Sequence, residues 1–254
     1  MKSKPLKRRS FKEWTAHQYQ ATSLLFRSIP ASVVSLFVVA VVTMNILANK
    51  TIVQTPYLAL DGGFFISWFA FLAMDMVTKH FGPKAANKIS IFALLVNLLV
   101  CLIFYLVSLI PTPHRDYQAF NAILGGTWFI LLSSAIAFIS SAFINNYLNY
   151  GIGHLFKKKP DSKMAFFTRS YVSTFVGQFF DNLIFSILTF MVFAPIFMDG
   201  FSWTFVQCLT CSLLGALVEL VMEILFSPFG FAVVKKWDKT GVGEQYLKYI
   251  NKDN

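Results

Sequence analysis

Six apolar runs, each long enough to cross a bilayer, take up most of this chain: Ile29 to Ala48, Leu58 to Val77, Ile89 to Ile110, Ile123 to Tyr147, Tyr171 to Ala194 and Trp203 to Phe226. A hydrocarbon core roughly 30 Å thick takes about 20 apolar residues as a helix. Inside it every backbone N–H and C=O must be satisfied within the protein, which leaves helices or closed barrels, and runs this continuous lack the alternation of barrel strands. The sequence therefore predicts an all-α, polytopic membrane protein, a bundle of six transmembrane helices. With 254 residues, 56% of them hydrophobic, no stretch remains for a soluble catalytic domain.

The basic residues alternate with the runs. Seven precede the first (Lys2, Lys4, Lys7, Arg8, Arg9, Lys12, Arg27), three follow the second (Lys79, Lys84, Lys88), five follow the fourth (Lys157, Lys158, Lys159, Lys163, Arg169) and five follow the sixth (Lys235, Lys236, Lys239, Lys248, Lys252). Only Lys50 and Arg115 fall on the other side. Short loops rich in Lys and Arg stay cytoplasmic, so the chain is expected N-in and C-in. The same alternation accounts for the net charge of +10 without nucleic acid, for which no motif is present. The first run is too long for the 7 to 15 residue core of a cleavable signal and is expected to be retained. Residues Phe11 to Phe26 mix aromatics with Lys12, His17 and Gln20, a pattern that suits either a helix lying on the cytoplasmic leaflet or a loose basic tail.

Cys101, Cys208 and Cys211 all fall within runs and offer no disulfide framework. The C-x-x-C pair lacks the second ligand pair of a zinc site and the βαβ context of a redox motif, so it reads as two small apolar residues. No metal or cofactor is expected. No H-E-x-x-H or G-x-S-x-G appears, and His17, His80, His114 and His154 lie outside the runs, which argues against an enzyme.

What the runs contain besides apolar residues points to a site. Asp181 lies near the middle of the fifth, where an ionised carboxylate costs at least roughly 2.5 to 3.5 kcal/mol unless it faces a protein interior or a cavity. Ser170, Thr174, Gly177, Gln178 and Asp181 share one helical stripe there, and Thr127, Ser134, Ser141, Asn145 and Asn149 form a second stripe on the fourth. Hydroxylated and small residues also mediate ordinary helix packing. Glu219 and Glu223 sit one turn apart on the sixth, where they could pair with Arg169 or an inner-loop Lys, and Pro228 is placed to kink or end that helix. Asp75, four residues before Lys79, reads either as an ordinary helix-end pair or as the inner cap of a cavity. A site with acids, amides and aromatics but no mid-span Lys or Arg suits a cation or a planar N–H donor such as a guanine-like base.

On these residues the chain resembles the queuosine precursor transporters, also called the vitamin uptake transporter family. FLAMDMVTKHFGPKAANKIS is similar to that family's Asp-containing segment, through Asp75, Phe81, Gly82 and Ala85. RSYVSTFVGQFFDNLIFSILTF is similar to its Ser-Thr, Gln, Asp, Phe pattern, through Ser173, Thr174, Gln178, Asp181 and Phe185. NILANK contributes Asn45, Asn49 and Lys50, and the likeness runs over roughly Ile29 to Val234. The resemblance implies an importer in the cytoplasmic (inner) cell membrane. Its expected cargo is chiefly 7-cyano-7-deazaguanine, with the 7-aminomethyl relative or queuine beside it, salvaged for tRNA modification. Asp181, Gln178, Asp75, Ser173, Thr174, Asn45, Asn145 and Glu219 are then the expected substrate-binding residues, on a 29–234 transport domain between a basic cytoplasmic segment (1–28) and a basic cytoplasmic tail (235–254). The partners implied are a purine-like base and membrane lipid, with a second copy of the chain or an energy-coupling module as further candidates. The alternative is a substrate-binding subunit of an energy-coupling-factor vitamin transporter, but SVVSLFVVAVVTMNILA lacks the Ala-x-x-x-Ala docking pattern of such subunits.

Overall fold

The computed structural model describes residues 10–111, 117–126, 128–155, 163–198 and 200–251. It is a helical bundle with one short hairpin. In chain order the elements are α1 (Phe11–Ser28), α2 (Ala31–Leu47), β1 (Thr51–Gln54), β2 (Ala59–Asp61), α3 (Phe64–Phe81), α4 (Pro83–Ser108), α5 (Gln118–Gly126), α6 (Trp128–Leu155) and α7 (Lys163–Ser186). A π-helical stretch (Ile187–Phe193) then runs into α8 (Ala194–Phe197), followed by α9 (Phe205–Thr240) and α10 (Glu244–Asn251).

Four helical stretches among the described residues are long and apolar enough to cross a membrane: Pro83–Ser108, Gln118–Ser141, Thr174–Phe197 and Phe205–Phe226. The bent pair α1 and α2 adds a fifth if counted as one span. Each of the six expected runs overlaps helix among the described residues, but only four or five stretches qualify as spans, and the second run differs in extent. Leu58 to Gly63 lie in the hairpin and the turn after it, so α3 keeps 18 residues, about 27 Å at 1.5 Å per residue.

Proline and glycine place the corners. Pro30 precedes α2 and holds Ile29 extended (φ −78°, ψ 141°), so α1 stops and the chain turns by 100°. Gly82 takes φ +86° between α3 and Pro83, which opens α4. Pro195 has no N–H to return to the preceding turn, and the helix around it widens, with the Ala194 N–H reaching back five residues to the Thr189 carbonyl. Pro228 does not end α9, which continues to Thr240 over 36 residues and so outruns a bilayer core at roughly 54 Å.

α1 and α10 pack together, so both ends of the described chain lie at one end of the bundle. His17 Nδ1 meets the Tyr249 hydroxyl at 2.7 Å, and that hydroxyl donates to Gln20 Oε1 at 3.1 Å. Residues 235–251, expected as a tail, are helical and contribute Trp237 and Tyr246 to the largest core. That core also holds Leu25, Phe37, Val77, Phe81 and Ile89, with Ala70, Ala73, Ala85, Ala86 and Ala93 letting the helices approach closely. His80, buried beside it, bonds the Val242 carbonyl through Nε2 at 2.8 Å and faces Asp238 Oδ1 at 2.8 Å through Nδ1. At the opposite end a smaller core stacks Phe190 on Trp203 at 3.9 Å, with Ala59, Cys208 and Cys211 around them. The outer side of α4 presents Ile91, Leu95, Leu98, Leu102 and Leu106 outward, as a lipid-facing helix should.

Gly243 seats the C-terminal turn against Phe81: it has φ +77°, and a Cβ there would overlap the Phe81 ring. Gly243→Ala is expected to cost roughly 1 to 3 kcal/mol through strain and overpacking, read as a lowered thermal midpoint of the detergent-purified protein. A midpoint equal to wild type would contradict this account of the turn.

Candidate functional site

A short hairpin joins α2 to α3. β1 and β2 pair antiparallel, with Thr51 opposite Asp61 and Gln54 opposite Ala59. Thr55 closes the turn by bonding Leu58 both ways. Two α9 side chains tie the hairpin down: Gln207 Nε2 donates to the Thr55 carbonyl at 2.6 Å, and the Thr210 hydroxyl donates to the Tyr57 carbonyl.

Beneath it lies a cavity enclosing about 650 Å³ of empty space, its open mouth included. Each surrounding element contributes from the end nearest the hairpin. The last turn of α2 gives Met44 and Asn45, and β2 gives Asp61; the first turn of α3 gives Phe64 and Ser67, and α6 gives Ser134. The end of α7 supplies Asp181, Asn182, Phe185 and Ser186, and the first half of α9 supplies Cys211, Gly215 and Glu219. Three carboxylates thus line one cavity, and among the described residues no Lys or Arg does.

Each carboxylate is held differently. Asp61, 8% exposed, accepts the Gly63 N–H on Oδ1 at 2.7 Å and is also bonded by the Phe64 N–H. The two glycines after it are required by space: a Cβ on Gly62 would lie 2.6 Å from the Leu47 carbonyl oxygen, and one on Gly63 would lie 2.9 Å from that of Met44. Asp61 sits on the hairpin, outside the spanning helices, and burial pushes its carboxyl up to about 6 against the lowering effect of those two N–H bonds. Asp181 accepts the Ser141 hydroxyl at 2.7 Å across the α6–α7 interface. Glu219, 3% exposed, accepts Asn182 Nδ2 at 3.4 Å and the Ser67 hydroxyl. These neutral partners stand where a Lys or Arg pair was one expectation for Glu219, and among the described residues no such pair forms.

Of the expected site residues, the structure brings Asp181, Asn45 and Glu219 together around the cavity. Gln178 does not line it. That side chain, 4% exposed, lies one turn along α7 from Asp181, and neither Oε1 nor Nε2 has a hydrogen-bond partner. Thr174 lies a further turn away and does not line the cavity either. The side chains of Asp75, Ser173, Asn145 and Glu223 lie outside the described residues. Asp61, Asn182 and Ser67 are additions. Asp61 was visible as an Asp-Gly-Gly inside an apolar run, a break that a continuous span does not need.

Residues 61–233 match the family model described as "Putative vitamin uptake transporter", 173 of the 254 residues. The chain belongs to this family. The match begins at the hairpin carboxylate and covers every cavity-lining element except the end of α2. No curated protein and no solved structure matches the chain. Family and apolar helices together make this a multi-pass membrane protein of the uptake-transporter type.

Gly215 is the point at which α9 leaves room for the amide that reaches Glu219. A Cβ there would lie 2.8 Å from Asn182 Nδ2, the far end of a side chain that can swing away. Gly215→Ala should therefore leave thermal stability near wild type while displacing Asn182 from Glu219, lowering ligand affinity or uptake roughly two- to tenfold, as one hydrogen bond is worth. Unchanged uptake would show that the Asn182–Glu219 contact is idle.

Proposed function

We propose that this family member imports 7-deazaguanine bases of the queuosine route, 7-cyano-7-deazaguanine and its 7-aminomethyl relative among them. The import runs across the cytoplasmic membrane, with both termini on the cytoplasmic side. The observation that carries the reading is the cavity itself: Asp61, Asp181 and Glu219 with the Asn45 and Asn182 amides, and no basic side chain among the described residues. A 2-aminopyrimidinone edge offers two parallel N–H donors beside a carbonyl. A carboxylate accepts such a fork in bidentate fashion, and a neighbouring amide N–H serves the carbonyl. Asp181 and Asn182, adjacent in sequence on α7, supply that pair, and Phe64 and Phe185 supply apolar ring surface for a flat heterocycle. The lipid-facing exterior supports residence in a bilayer, and the packing of α1 on α10 supports both termini lying on one side.

The test is uptake of labelled 7-cyano-7-deazaguanine by cells unable to make it and lacking their own importer, comparing wild type with Asp181→Asn at matched membrane expression. Wild type is expected to accumulate the base and the variant to lose at least about tenfold, since an amide replaces the acceptor of a charge-assisted pair. A well-expressed wild type that takes up none would sink the reading.

The Asp61 carboxyl, displaced to about 6, is ionised above that pH and neutral below it. Binding, to the purified protein, of a base whose donors reach Asp61 should therefore weaken as pH falls through about 6. Affinity that stays flat from about pH 7.5 to about pH 5 would show that Asp61 does not take part in its charged form.

A further inference from the structure

The cavity has more acceptor capacity than a guanine-like edge can use. That edge engages one carboxylate through its fork of N–H groups, with an amide for its carbonyl. Asp181 with Asn182 meets this need, and Glu219 is already bonded by Asn182 and Ser67. Asp61 is left over, on a different element, bonded only to the backbone N–H groups of its own turn. A second acceptor faces the same space: Asn45, 2% exposed, donates through Nδ2 to the Val41 carbonyl of its own helix, and its side-chain oxygen accepts nothing among the described residues. An acceptor that faces the cavity, in the same cavity as a carboxylate met only by backbone N–H groups, suits a ligand group that donates hydrogen bonds and carries positive charge.

The two kinds of 7-substituent differ in this respect. A nitrile is neutral and is itself an acceptor, so against Asp61 and the Asn45 oxygen it finds no donor. A primary aminomethyl group is an ammonium at neutral pH with three N–H donors. Resting on the deazaguanine reading above, we infer that the preferred cargo is the cationic 7-aminomethyl class of base, and that Asp61, with the Asn45 oxygen beside it, is the specificity-determining group that receives the ammonium. This reverses the order of the two bases that the family resemblance implies. Gly62 and Gly63 let the turn after Asp61 come against the end of α2, where Asn45 sits: a Cβ on either would crowd the Leu47 or Met44 carbonyl oxygen.

Labelled 7-aminomethyl-7-deazaguanine and 7-cyano-7-deazaguanine, given singly and in competition to the same importer-deficient cells, test this. Wild type is expected to favour the aminomethyl base by roughly tenfold or more in initial rate, the scale of one charge-assisted hydrogen bond. In Asp61→Asn the ratio of aminomethyl to cyano uptake should collapse toward one. The ratio is internal to each sample and does not depend on how much protein reaches the membrane. The wild-type preference needs no variant, so it stands even if Asp61→Asn fails to fold. Equal uptake of the two bases by wild type, a preference for the cyano base, or a ratio unchanged in Asp61→Asn would overturn the inference while leaving the importer reading intact. Uptake of neither base by well-expressed wild type would overturn both.

Discussion

A carboxylate inside an apolar bundle must be given hydrogen bonds or it drives the helices apart, and this end of the structure is arranged around three of them. Glu219 is nearly inaccessible, and its partners come from α7 and α3. Asp181 draws Ser141 of α6 onto α7. Asp61 is met by the N–H groups that open α3, where the helix dipole also favours negative charge. None of these partners is cationic. A buried ion pair would have satisfied the acids internally and removed their reason to face a cavity. Neutral partners hold each group in place without a countercharge.

The two ends of the bundle are built from different materials. Toward the termini, alanines and large apolar side chains from α1 to α4, α9 and α10 close into one continuous core, with His80, Trp237 and Tyr246 sealing α3 to the C-terminal turn. Toward the hairpin the helices diverge around polar residues, and a strap of two short strands covers the gap through bonds to Gln207 and Thr210. α3 joins the two regimes, beginning at the cavity with Phe64 and Ser67 and ending in the sealed core at Phe81.

Apolar run length located the long apolar helices but neither α1 nor α10, because backbone satisfaction in lipid leaves a continuous run almost no other structure. It misplaced the start of the second run for the same reason: Leu58 to Gly63 are apolar enough to extend a helical run, while pairing with β1, the Thr55 turn and bonds to α9 make this segment a hairpin. The Asp-Gly-Gly break at Asp61 was the one sign of it in the sequence. Helical periodicity correctly grouped Gln178 with Asp181 on one face, yet a face has depth, and one turn along it is enough to leave the cavity. Asn182, off that stripe, was invisible until Gly215 of α9 made room for it. For Glu219, spacing could not tell a salt bridge from a hydrogen-bonded acid, because its partners are distant in sequence.

Gln178 lies one turn before Asp181 on α7, and its buried amide has both polar atoms unbonded. A buried amide without partners costs on the order of 1 to 3 kcal/mol per unmet group, so the packing seen here carries a penalty that any arrangement bonding Gln178 escapes. Transport requires states that differ by only a few kcal/mol, and an unsatisfied group one turn from Asp181 brings this packing nearer in energy to an arrangement that would bond it.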